Sequence, residues 1–214
     1  MIDEISVILF ISCVVVYIIL FMMKSQKRGG SSERSTLNLI YKNWVQNRIE
    51  DENLLYATQA LRNFIMGNAT FISGLLILIG ILVGLYNTQI LSLDTFWGLE
   101  GVNIGFVQMA TNLGIVFFSL FNFILSIRYI VRVSMLMAGD LKKFSEEEYS
   151  GIKVTRKAFI SAQNHWLFGM RGLFFLFATL SWLIDTIFFI FITIIIMFYL
   201  VLFQDIWVAS KKGE

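Results

Sequence analysis

The chain has 214 residues, 57% of them hydrophobic and 15% charged, with a formal net charge of +2. Soluble domains average roughly 45–50% apolar and about 25% charged residues, so this composition excludes an ordinary soluble domain and a disordered chain alike. The single cysteine excludes a disulfide scaffold, and so small a net charge does not point to nucleic acid as a partner.

The first apolar run, Ile5 to Met23, carries no charge and is long enough to cross a bilayer, which takes about 20 helical residues. A cleavable signal peptide has a basic start and a short apolar stretch. Here the start is acidic (Asp3, Glu4) and the basic residues Lys24, Lys27 and Arg28 follow the run, so it reads as a retained anchor with its N-terminus outside. Cys13 within it reads as a small apolar filler. Residues Lys24 to Thr36 form a Gly/Ser-rich charged linker. From Leu37 to Arg62 apolar residues return at helical spacing, among them Leu37, Ile40, Tyr41 and Trp44.

The second run, Phe64 to Tyr86, contains Asn63 at its edge, Asn68, Thr70 and Ser73, then Gly80 and Gly84. Gly80-x-x-x-Gly84 is a spacing that lets helices approach closely within or between subunits. The loop Asn87 to Asn103 has no Lys or Arg. The third run, Ile104 to Ile127, carries Gln108, Asn112, Ser119, Asn122 and Ser126. Asn112, Ser119 and Ser126 are spaced by seven and Gln108 precedes Asn112 by four, so these four share one stripe with Asn122 beside it. Two readings stand: the stripe lines a hydrated pathway, or it hydrogen-bonds to packed neighbouring helices.

Residues 128–171 read as a second basic, helical segment whose acidic run Glu146–Glu148 is a solvated surface; His165 and Trp166 read as part of an interfacial aromatic belt. The fourth run, Gly172 to Phe203, is interrupted only by Asp185. As one helix it would reach about 48 Å against a hydrocarbon core of about 30 Å, so it must tilt, kink or lie partly in the interface. One tilted span is the reading adopted, with a turn back at Asp185 as the alternative. Asp185 itself is either an intramembrane functional carboxylate or a residue at a break, close to water.

Fifteen of the 17 basic residues fall in segments 24–63 and 128–171, which the positive-inside rule assigns to the cytoplasm, with 87–103 external. A single fourth span leaves Lys211 and Lys212 outside; a turn at Asp185 brings them back. Arg62, Arg128 and Arg171 each stand at the cytoplasmic end of a different span. They suggest a collar for an anion or an anionic lipid headgroup, or else plain snorkelling anchors.

Three stretches resemble a known family: Gln59-Ala-Leu-Arg62-Asn63-Phe-Ile-Met66-Gly-Asn-Ala69, Ser126-Ile127-Arg128-Tyr129, and Phe168-Gly169-Met170-Arg171-Gly172 followed by Trp182. They are similar to the domain of unknown function 599 family of membrane proteins over roughly Trp44 to Asp205. The resemblance implies a membrane architecture and no defined activity. It also implies prolines in the fourth run where this chain has Phe177-Ala178 and Asp185-Thr186, so the kink that a proline would impose is not encoded here in that way.

With one histidine and one cysteine, no zinc or haem site can be assembled from several of them. No Walker loop, Gly-x-Ser-x-Gly elbow or His-Glu-x-x-His occurs. The expectation is therefore an all-α, four-span membrane protein forming one membrane domain and a homo-oligomer, with no catalytic residues, metal or cofactor. It is read as channel-like or transport-related, with Gln108, Asn112, Ser119, Asn122 and Asp185 along a pathway. The alternative is a non-catalytic scaffold or accessory subunit that docks a protein partner on its cytoplasmic helices. The direction in which the third span's stripe points separates the two.

Overall fold

A computed structural model describes residues 2–26, 33–50, 55–87, 94–99, 101–139 and 150–201. Glu146–Glu148, Lys211, Lys212 and residues 27–32 of the Gly/Ser-rich linker lie outside the described residues. Six α-helices follow in order among the described residues: α1 Ile2–Gln26, α2 Glu33–Glu50, α3 Leu55–Asn87, α4 Ile104–Ala138, α5 Gly151–Ser181 and α6 Thr186–Tyr199. Among the described residues the only β pairing is one isolated bridge, Thr95 to Asn103.

Among the described residues three segments are long and apolar enough to cross a membrane: Ile2–Leu20, Leu55–Tyr86 and Ile104–Ala138. Much of their apolar surface faces outward. On α3, Met66, Leu76, Ile77 and Ile81 are all exposed, the arrangement expected of a helix whose surroundings are lipid. The chain is therefore all-helical with the character of a multi-pass membrane protein.

The fourth apolar run departs from the single span expected for it. α5 ends at Ser181, residues 182–185 are turn, and α6 is a separate helix of 14 residues. The chain also reverses there. The rings of Phe174 on α5 and Tyr199 on α6 are 5.4 Å apart, whereas a continuous helix would separate these residues by about 38 Å. No proline causes the break. Asp185 takes an extended conformation (φ −161°, ψ 143°), and its Oδ1 accepts the backbone N–H groups of Ile187 at 2.7 Å and Phe188 at 3.1 Å. It is the N-cap of α6, satisfying donors that a helix start leaves open.

Residues group into two compact units, each with its own core. The first comprises Met1–Ser35, Ile77–Phe117 and Gly172–Glu214. Its core contains Phe10, Tyr17, Ile104, Trp182, Phe189 and Leu200. Phe10 meets Phe189 at 5.5 Å and Phe175 at 6.1 Å, and Trp182 stacks on Phe189 at 5.0 Å. Aromatic pairs of this kind add roughly 0.5–1.5 kcal/mol beyond the area they bury. The turn before α4 belongs to this unit: Phe96 N–H donates to Val102 O, and Ile104 N–H donates to Asp94 O. Trp97, at φ 52°, holds the left-handed conformation while its N–H donates to Glu4 Oε1 at 2.8 Å.

The second unit comprises Thr36–Leu76 and Phe118–Arg171. Val45, Leu61, Ile130, Val133, Phe159 and Ala162 lie in its core. The helical spacing read from Leu37 onward places Trp44 flat on Phe159 (4.9 Å, 12°) and Tyr41 edge-on to the same ring. In this unit α4 and α5 approach closely at Gly169: a Cβ there would lie 2.8 Å from the ring of Phe123. Phe123 is fully buried and stacks on Phe71 at 5.1 Å, so glycine permits this contact.

Candidate functional site

The polar residues at the break between α5 and α6 form a connected set. Where a helix ends, its last carbonyls lose their intrahelical partners, and in hydrocarbon no water replaces them. The stripe of α4 supplies partners. Gln108 Nε2 donates to Trp182 O at 3.1 Å, and Asn112 Nδ2 donates to Thr179 O at 3.2 Å and to Gln108 O at 2.9 Å. Local groups complete the end of α5: Ser181 Oγ donates to Ala178 O, Leu183 N–H to Leu180 O, and Ile184 N–H and Asp185 N–H to Ser181 O.

The first turn of α1 joins the same set. Asp3 Oδ1 accepts the indole N–H of Trp182 at 3.2 Å and the hydroxyl of Thr186. Trp182 is 2% exposed, so its N–H is far from solvent and requires an acceptor. Asp3 thus has a structural task that nothing in its local pattern announces.

The rest of the stripe lies in the second unit. Ser126 Oγ donates to Ala162 O of α5 at 2.9 Å. Asn122 Nδ2 donates to Phe118 O at 2.9 Å, which leaves its Oδ1 as the acceptor 3.0 Å from His165 Nδ1; the imidazole hydrogen therefore sits on Nδ1. Tyr129 stacks on the His165 ring at 5.5 Å, and burial lowers the His165 pKa below its usual value of 6.5. Ser119 is fully buried, its Oγ without a partner among the described residues. All five stripe residues are buried, and four of them bond to backbone or to His165 within this chain.

The other residues singled out by sequence occupy contrasting places. Asp185 is exposed on the single chain and engaged as a helix cap. Arg62 and Arg128 are exposed, whereas Arg171 is buried, with its guanidinium 5.9 Å from the centre of the Phe168 ring. Gly80 and Gly84 are exposed, and nothing among the described residues lies within 4 Å of where a Cβ would stand, so no other described helix closes on them. Among the described residues no three His, Cys, Asp or Glu side chains cluster as metal ligands would.

The motifs that carry the family resemblance serve as packing joints of the second unit. Gly169 admits Phe123, Ser126 ties α4 to α5, and Leu61 is in the core. The sequence marks Gly169 only as part of the family-like motif and Asp3 only as part of an acidic start; the contact with Phe123 and the bond to Trp182 have no local signal. A family model described as "Protein of unknown function, DUF599" matches residues 5–207. No curated protein and no solved structure matches.

Proposed function

For a chain that belongs to the DUF599 family of proteins of unknown function, we propose the role of a non-catalytic membrane scaffold or accessory subunit. The observation that carries this reading is the closure of Gln108 and Asn112 on the carbonyls of Trp182 and Thr179. Broken helices in transporters leave their ends open to substrate or ions. Here α4 side chains occupy the last carbonyls of α5, and Asp185 occupies the first N–H groups of α6. A joint filled from within one chain fits a rigid framework better than a pathway.

The topology that goes with this reading has the N-terminus outside, with segments 24–63 and 128–171 cytoplasmic. The reversal at Asp185 supports it, because α6 then runs back toward the basic side. Partners would dock on the cytoplasmic helices, where Leu39 and Ile40 of α2 are exposed. A second copy would pack on the Gly80–Gly84 face of α3, open in the single chain.

The test is the native mass of the complex in mild detergent, together with ion flux in proteoliposomes for the wild type and Asn112→Leu. We expect a complex containing other polypeptides, flux no greater than that of protein-free vesicles, and a lower melting temperature for Asn112→Leu by the equivalent of about 0.6–2 kcal/mol. A flux that Asn112→Leu abolishes would overturn the scaffold reading in favour of a channel.

A further inference from the structure

We propose that the second unit carries an anion site, a cavity between α2 and the first turns of α5 that binds a phosphate group. The cavity measures about 220 Å³ and is lined by Lys42, Lys153, Arg156, Lys157, Ile160 and Ser161. Four of the six residues are cationic and none is acidic. Its size is below the roughly 300–1,000 Å³ of pockets that hold drug-sized molecules, and suits a headgroup or a small phosphate ester.

The arrangement follows from the sequence. Lys153, Arg156 and Lys157 are spaced i, i+3, i+4, which puts them on one face of α5, and Ser161 extends that face by one more turn. Lys42 reaches the same cavity from α2. The stack of Trp44 on Phe159 and the edge contact of Tyr41 hold α2 against α5 at this level, so packing fixes the two helices that carry the charges before any ligand arrives.

Among the described residues these cations have no acidic neighbour in the cavity lining. α5 begins at Gly151 with no acidic residue in its first turn. The helix dipole there is positive and favours anions, and lysines at i and i+4 repel one another. Arg156 is held by one arm: its Nη2 donates to Gln46 Oε1 at 2.9 Å, while its Nε is buried without an acceptor among the described residues. A phosphate carries close to two negative charges and three acceptor oxygens. It would relieve the mutual repulsion, complement the helix start and offer Arg156 charge-assisted hydrogen bonds. Two sources share this chemistry, the phosphomonoester headgroup of phosphatidic acid and a soluble phosphate.

The experiment uses the full chain. Inorganic phosphate is titrated by calorimetry into the detergent-solubilised protein. In parallel, the protein is reconstituted in vesicles of phosphatidylcholine with or without phosphatidic acid, and bound lipid is read by native mass spectrometry. Arg156→Gln and Lys157→Gln should each weaken binding of the preferred ligand about tenfold. Arg132→Gln, an exposed cation outside the cavity, should change it less than about twofold. Saturable phosphate binding with this pattern assigns a soluble ligand; selective retention of phosphatidic acid with this pattern assigns a lipid. The proposal fails if neither ligand binds, or if Arg132→Gln weakens binding as much as the cavity variants do. Lys157 is exposed, so its variant keeps the test open should Arg156→Gln not fold.

Discussion

Asp3 Oδ1 accepts the indole N–H of Trp182 at 3.2 Å, joining the first turn of α1 to the first residue beyond α5 across 179 positions of sequence. The same oxygen accepts the hydroxyl of Thr186 at the start of α6. One carboxylate thus holds three helix ends together, and the consequences can be measured.

Asp3→Ala leaves the indole N–H of Trp182 buried without its acceptor. Stranding such a donor costs about 1–3 kcal/mol, and a fall of that size is expected in thermal melts followed by tryptophan fluorescence. Asp3→Asn keeps an acceptor oxygen and should lose less. Equal losses in the two variants would mean that charge matters here and hydrogen bonding does not.

Asp185 acts through its cap, so an oxygen at this position should suffice and a negative charge should not be needed. Asp185→Ser and Asp185→Asn are expected to stay within about 0.5 kcal/mol of wild type, and Asp185→Ala to lose about 0.5–2 kcal/mol. A carboxylate serving as proton or cation carrier would instead fail in Asn as in Ala, measured as flux in vesicles.

Gly169→Ala drives a methyl group into the buried Phe123 ring. Overpacking costs typically about 1–3 kcal/mol, partly offset by up to about 1 kcal/mol from removing glycine from a helix. A net loss of about 1 kcal/mol is expected. Adding Phe123→Leu should recover part of it, a coupling that a double-mutant cycle detects. Strictly additive losses would remove the close contact as the reason for this glycine.

His165 precedes the fourth apolar run, and its burial favours the neutral ring. Its folded pKa lies below the unfolded value of 6.5, so the unfolded chain takes up the proton first as pH falls. Stability from this group is complete above that value and declines below it. The melting temperature should drop between about pH 7.5 and about pH 5 by more in wild type than in His165→Gln. Parallel curves would show that the imidazole is not responsible.

The long apolar helices were legible in the sequence because their cause is local: uncharged runs of Leu, Ile, Val and Phe at Ile5–Met23, Phe64–Tyr86 and Ile104–Ile127. The polar stripe of α4 was equally legible as a stripe, since heptad spacing places Asn112, Ser119 and Ser126 on one face wherever the helix lies. Its partners were not. Spacing shows which side chains share a face and says nothing about which backbone carbonyls lie opposite.

The fourth run shows where that boundary falls. Its apolar composition suits a continuous helix, and neither a proline nor a glycine marks positions 182–185. Whether the chain continues or turns depends on whether the groups freed by a turn find partners. Those partners are Gln108 and Asn112 on α4 and Asp3 on α1, all more than 60 residues away in sequence. Composition and periodicity determined that this is a helical protein with the long apolar helices of a multi-pass membrane protein, and which faces of its helices are polar. The break at Asp185, the glycine contact at Gly169 and the basic cavity between α2 and α5 were decided by tertiary structure, because each depends on groups that only folding brings together.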